Sequence, residues 1–248
     1  MSAGVETTGG LRWHWRALRR RFRWRTTSGL IADWLAATQP RSRHLLLIGG
    51  SAGWMMPAAW LQRFERIDVV DLDPLAPLLF RLNHGLSLRR SRTALHFHRA
   101  DGIAGLDNLL VAFPQASICF DNVLGQHRFR VADQDQAEAE LNDLSRRLQG
   151  RDWGSVHDLF SGPVALAAKP AQTVPFLKAE VTPAGLCVAQ LCDDPLHRLM
   201  LQQAGACGVW MDHLTSGIFP VGTANHLIYW PFSSRYGHWL QAGWVSAR

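Results

Sequence analysis

The run His44–Asp73, HLLLIGGSAGWMMPAAWLQRFERIDVVDLD, fits few folds. It opens on four apolar residues, Leu45–Ile48, enough for one buried strand. Gly49-Gly50-Ser51-Ala52-Gly53 breaks the run, and Trp54–Phe64 has the spacing of a helix. A second apolar run, Ile67–Val70, ends in Asp71, with Asp73 two residues later. Strand, small-residue turn, helix, strand and acid is the order of a βαβ unit that holds a nucleotide or nucleoside. Glycines let the backbone approach the ligand, and the acid accepts hydrogen bonds from ribose hydroxyls. Asp71 lies 22 residues beyond Gly49, the separation such a unit requires.

The pattern repeats downstream. Leu95–Arg99, Ala116–Phe120 and Ser155–Phe160 read as further strands, and Pro74–Leu86, Ile103–Ala112 and Gln134–Leu148 as helices between them. The predicted helix Pro74–Leu86 gathers Leu75, Leu78, Leu79 and Leu82 on one face. Strands alternating with helices predict an α/β fold: a Rossmann-like, doubly wound, mainly parallel sheet. His226–Trp230 and His238–Val245, joined by seven residues, predict a C-terminal antiparallel hairpin. Pro195–Ala204 is a predicted helix, and Gly185–Leu191 a strand or lid segment. Asp71, Asp101 and Asp121 each close a strand, one per βα step, so all three can converge on one crevice at the carboxyl ends of the strands.

Charge divides the chain. Residues 1–43 hold nine arginines against Glu6 and Asp33, an excess larger than the net +6 of all 248 residues. The high isoelectric point therefore belongs to a basic, Arg/Trp-rich helical extension (1–43), followed by a near-neutral domain (44–248). Leu11, Trp15, Leu18 and Phe22 fall on one helical face, predicted to pack on the domain with the arginines in water. The other reading is an anionic partner: nucleic acid, an acidic carrier domain or a membrane surface. Ser28 is placed to cap a second helix, Gly29–Thr38. Arginines interrupt every apolar stretch of Leu11–Arg25, unlike a signal peptide, and no segment has the roughly 18 apolar residues of a membrane span. The expectation is a cytoplasmic protein. The cysteines, Cys119, Cys187, Cys192 and Cys207, form no CxxC pair, so no metal site is expected.

A dinucleotide site calls for G-x-G-x-x-G. Counted from Gly49, the third position is Ser51 and the sixth Trp54, whose indole would block a pyrophosphate from the helix start. NAD and FAD are disfavoured.

Leu46–Gly53, Val69–Asp73, Ala100-Asp101-Gly102 and Cys119–Asn122 together resemble class I S-adenosylmethionine-dependent methyltransferases. They lean toward spermidine-synthase-like members, whose first turn reads GGGDGG and whose second strand ends VEID. The resemblance covers about Arg43–Ser161. It implies that Gly49, Gly50, Ser51 and Gly53 pass beneath the amino-acid part of S-adenosylmethionine and that Asp71 holds the ribose. It also implies that Asp101 and Gly102 meet the adenine and that Asp121 stands beside the reacting centre. Ser51 and Ala52 replace a glycine and an acid of the spermidine-synthase turn, and Asn122-Val123-Leu124 lacks the second acid that aminopropyl transfer uses.

The expected activity is therefore methyl transfer to a small-molecule, carrier-bound or peptide-bound acceptor. Two other readings are a non-catalytic module of the same fold that docks a partner enzyme or nucleic acid through its basic N-terminus, and an aminopropyltransferase-like enzyme. Candidate general bases are Asp121, His127 and the His157-Asp158 pair. His213 and His226 are candidates to line the acceptor pocket.

Overall fold

The structure, a computed structural model, describes residues 10–165, 174–176 and 195–247. Two helices, α1 (Gly10–Arg20) and α2 (Arg25–Ala37), precede β1 (His44–Ile48) and a short α3 (Ala58–Leu61). There follow β2 (Arg66–Asp71), α4 (Ala76–Arg90), β3 (Ala94–Arg99), α5 (Leu106–Ala112) and β4 (Ser117–Asp121). A 3-10 helix (Leu124–Phe129), α6 (Gln134–Asn142) and α7 (Leu144–Arg147) lead to β5 (Trp153–Pro163). Beyond it lie β6 (Val174–Phe176), α8 (Pro195–Ala204), β7 (Met211–Asp212), β8 (Asn225–Trp230) and β9 (Tyr236–Val245). Cys187, Cys192 and the predicted segment Gly185–Leu191 fall outside the described residues.

The strands form one sheet in the order β3-β2-β1-β4-β5-β9-β8-β6, with β7 on β5. β1 to β5 run parallel, whereas β9 is antiparallel to β5 and β8 antiparallel to β9. This is the predicted Rossmann-like, doubly wound sheet with its antiparallel C-terminal hairpin. Side-chain alternation explains the two layers. Leu45, Leu47, Ile67 and Val69 share one core with Trp24, Ile31, Trp60 and Phe80. Leu46, Ile48, Val70, Ile118 and Phe120 share the other with Leu106, Leu141 and Leu144. Both faces of these strands are covered, so they read as unbroken apolar runs.

Several local expectations are corrected. The helix predicted over Trp54–Phe64 shrinks to α3, because Gly53–Pro57 stays irregular and Pro57 precedes it in extended conformation. Ser28 lies inside α2, not at its cap, and its Oγ donates to Met55 Sδ. The packing face expected of α1 is reversed, and the leucine face of α4 is half-buried at Leu75 and Leu79 and exposed at Leu78 and Leu82. On α1, Leu11, Trp15 and Leu18, with Phe22 just beyond, are 76%, 56%, 45% and 73% exposed, while His14 and Ala17 are buried. The other face wins because it carries Trp13, which stacks on Trp24 and Phe232, and His14, which bonds Asp73. On α4, Ala76, Phe80, His84 and Leu88 are buried, and Leu78, Leu82 and Leu86 face water.

Candidate active-site cleft

The strand order reverses between β1 and β4, and a cleft opens there at their carboxyl ends, where ligands of such sheets bind. Gly49 leaves β1 at φ +78°, its N–H donating to Val70 O at 2.8 Å. A Cβ there would lie 2.7 Å from Val123 Cβ and 2.9 Å from the Asp121 carbonyl, so the turn requires glycine. Ser51 follows at φ +44°, a left-handed conformation uncommon outside glycine. Its N–H donates to Asp71 Oδ2 at 2.7 Å, and its hydroxyl is buried with no partner. The other Asp71 oxygen accepts from Asp73 N–H at 2.7 Å.

Asp73 ties α1 to the cleft. Its Oδ2 accepts from the Gly10 N–H at 2.8 Å and lies 2.9 Å from His14 Nε2, and its Oδ1 accepts from the Leu75 N–H. The Trp54 indole N–H donates to His14 Nδ1 at 3.2 Å, which assigns the imidazole proton to Nε2, facing Asp73. The non-polar wall of the cleft includes Trp13, Trp24, Ile31, Trp54, Trp230 and Leu240.

The polar wall is dominated by carboxylates. Among the described residues, Asp71, Asp73 and Asp121 line the cleft against one guanidinium, Arg130. Burial, reinforced by the nearby charge of Asp71, pushes the Asp121 carboxyl up to about 7. Burial also raises Asp71, partly offset by its two backbone hydrogen bonds. Low dielectric and like charge disfavour two anions at close range.

Asn122, at φ +53°, and Gln126 complete the floor. Both are held by Asp158, whose Oδ2 accepts from Asn122 Nδ2 at 3.1 Å and from Gln126 Nε2 at 3.2 Å. The Asn122 side-chain oxygen, Oδ1, accepts in turn from Asp158 N–H at 2.9 Å. Asp158 is fully buried, and its Oδ1 lies 2.8 Å from His238 Nδ1. Burial opposes ionisation, but the His238 and His213 rings and the amides outweigh it and bring the carboxyl down to about 2. Asp158, His213 and His238 bring ligand-type atoms within 4.8 Å of one another. His213 is nevertheless engaged on both nitrogens, by Gly125 O and Ser161 Oγ, while His238 Nε2 is buried without a partner. We read the group as a hydrogen-bond scaffold beneath the cleft.

The cleft gathers Gly49, Gly50, Ser51, Asp71, Gly102 and Asp121 from the residues singled out in sequence. Gly53 is not in its lining. Gly53 turns toward α4, where its carbonyl lies 2.9 Å from His84 Nε2 and a Cβ would meet that ring at 2.6 Å. Asp101 caps the next turn through the Ile103 and Ala104 N–H groups and pairs with Arg130 at 3.2 Å, bordering an adjacent groove. His127 belongs to that groove too, bonded to Glu140 at 2.6 Å, and does not line the cleft. His157 is a core residue between Ser155 and Gln241, and burial drives its pKa down to about 4. His213 and His226 are not in the lining either. Asn122, at the end of the Cys119–Asn122 motif, and Trp54, just after the glycine turn, carried a local signal in the sequence, whereas Gln126, Arg130, Trp13, Trp24 and Trp230 did not.

No protein-family model matches the chain, and neither does any curated protein. Solved structures resemble it in fold. A candidate O-methyltransferase from Nostoc punctiforme is 14% identical over 98% of this chain and 64% of its own, with a TM-score of 0.47. An O-methyltransferase family protein from Burkholderia thailandensis is 13% identical over 93% and 58%, with a TM-score of 0.41. The N-methyltransferase NodS from Bradyrhizobium japonicum, in complex with S-adenosyl-L-homocysteine, is 13% identical over 90% and 87%, also at 0.41. The chain thus spans less than two thirds of the first two.

Proposed function

We propose that this chain is an S-adenosylmethionine-dependent methyltransferase acting on a small, largely apolar acceptor. One observation carries the reading: among the described residues, three carboxylates face a single guanidinium in a cleft at the β1/β4 reversal. Such a wall repels a polyphosphate and attracts a cation. Phosphate sites also exploit a helix N-terminus directly after the glycine turn, but here α3 begins only at Ala58. A cationic adenosyl sulfonium matches the charge.

The residues fit that group. Asp71 spends one lone pair of each oxygen on backbone N–H groups, leaving others for the ribose hydroxyls. The unpartnered Ser51 hydroxyl lacks the hydrogen bond that the cofactor's amino-acid end can supply. Gly102, which admits no Cβ against Ile48, brings backbone close to the adenine position.

When bound, the cofactor supplies an electrophilic methyl group on a positively charged sulfur. The residues of the cleft then have three tasks: to hold the acceptor in line, to exclude water and to take its proton. The tryptophan wall serves the first two. Asp121, poised near neutrality and lining the cleft, is the base we assign to a protic acceptor. His127 is too committed to Glu140 for that task.

The test is a thermal-shift comparison of S-adenosylhomocysteine, NADH and ATP. A ligand that binds only the native state raises Tm by mass action, about 2.7 kcal/mol at a hundredfold excess over Kd. We expect a rise with S-adenosylhomocysteine alone; a rise with NADH or ATP alone would refute the assignment.

A further inference from the structure

We infer that the exposed apolar stripes of α1 and α4 form a docking surface for an anionic phospholipid bilayer. Leu11, Trp15, Leu18 and Phe22 lie within one narrow sector of α1 and its following turn, counted at 100° per residue, and all four are exposed. On α4, Leu78, Leu82 and Leu86 repeat every fourth residue and are exposed as well. A stripe of this kind on a helix normally packs inward. Two helices of one chain turn theirs to water, and α1 does so because its opposite face is committed to the cleft.

Charge identifies the occupant. Between Glu6 and Asp33 there is no acid, and Arg12, Arg19, Arg21, Arg23 and Arg25 are exposed. From Pro74 to Ala100 there is again no acid, while Arg81, Arg89 and Arg90 are exposed on α4. Arg12 and Arg19 flank the α1 stripe, and the Arg19 guanidinium lies 4.6 Å from the centre of the Trp15 ring. Leucine, tryptophan and phenylalanine bordered by arginine are the composition of an interfacial helix, whose apolar side enters the acyl boundary while its arginines meet lipid phosphates. Nucleic acid would satisfy the arginines but leave Leu11, Leu18 and the α4 leucines in water. No helix among the described residues is long and apolar enough to cross a membrane, so the contact is peripheral. The two stripes are also joined in structure. Asp73, just ahead of α4, holds the first residue of α1. Trp13 on the same helix walls the cleft, which puts a bound surface about one helix diameter, ~10 Å, from the site.

The test uses the full chain and sedimentation with two vesicle types, phosphatidylcholine alone and phosphatidylcholine with phosphatidylglycerol at three to one. Binding to the anionic vesicles is expected, weakening as salt rises, with little binding to the neutral ones. The double variant Trp15→Ser/Phe22→Ser changes only exposed side chains, so its circular dichroism should match the parent while its vesicle affinity falls at least tenfold. Leu82→Ser/Leu86→Ser should lower it independently. Absence of binding by the folded parent would overturn the proposal, as would unchanged binding by both variants. A concentration-dependent dimer broken by the same substitutions, without vesicle binding, would assign the surface to a second copy of the chain.

Discussion

Asp121 shows how one side chain links stability to chemistry. Its carboxyl sits near 7 because burial and Asp71 penalise the anion, whereas in the unfolded chain it titrates near 3.9. A folded pKa raised above the unfolded value gives stability that is complete below the unfolded pKa and lost as pH rises through the folded one. Asp121→Asn cannot ionise, so it should flatten the fall in Tm between pH 6 and 8. By pH 8 the variant should gain about 1 kcal/mol, or about 3 °C for a chain of this size. It should also lose proton abstraction from a protic acceptor, seen as loss of the pH dependence of turnover. Thermal denaturation at the two pH values checks the first part. A parallel decline of parent and variant would show that Asp121 is not the titrating group. At the amino end of β2, fully buried Asp68 is held by Arg66, His44 and His98, whose hydrogen bonds keep its carboxyl well below the usual range. Here the sign is opposite: the stability is present above the unfolded pKa and fades in acid. Asp68→Ala should cost about 2 kcal/mol at neutral pH, measured by urea unfolding, because the partners lose a charged acceptor but remain partly hydrated.

Elements were legible in proportion to how local their determinants are. The strands through Leu45–Ile48, Ile67–Val70 and Ile118–Phe120 could be read because each is an apolar run closed by a turn residue or an acid. Hairpin strands β8 and β9 begin within two residues of expectation. The packing of α1 was not legible. Its stripe of Leu11, Trp15, Leu18 and Phe22 is the stronger periodic signal, but tertiary contacts at Asp73, Trp54 and Phe232 reward Trp13 and His14 instead. The same applies to Asp101: spacing placed it at a strand end, yet the turn after β3 uses its carboxylate as a cap. His127 stands six residues beyond Asp121 in the sequence, but the 3-10 helix directs it to Glu140. If Asp73 anchors α1, Asp73→Ala should accelerate amide exchange in Gly10–Arg20 at least tenfold and leave β1 and β4 protected. Equal protection of α1 in the variant would assign its docking to the Trp13–Trp24–Phe232 stack alone.

The N-terminal helices contribute to the molecule's core. Trp24, Ile31, Trp34 and Leu35 are buried in the same cluster as the strands, and Trp13 and Trp24 close one side of the cleft. The arrangement has a polar, carboxylate-rich wall at the ends of β1, β2 and β4 and an aromatic wall of Trp13 on α1, Trp24 just before α2, Trp54 after the glycine turn and Trp230 on β8. The first half was readable from His44–Asp73 and the spaced acids. The second was not, because it joins residues more than 200 positions apart, as the Trp24–Trp230 contact does. Calorimetric titration with S-adenosylmethionine and S-adenosylhomocysteine at pH 6 and pH 8 probes the polar wall, since the two ligands differ by a methyl group and a positive charge. Both should bind. The preference for the sulfonium should grow up to roughly tenfold between the two pH values as Asp121 passes from mostly neutral to mostly ionised. Binding of neither ligand at either pH, or a preference that does not change with pH, would contradict a carboxylate-lined site for a sulfonium cofactor.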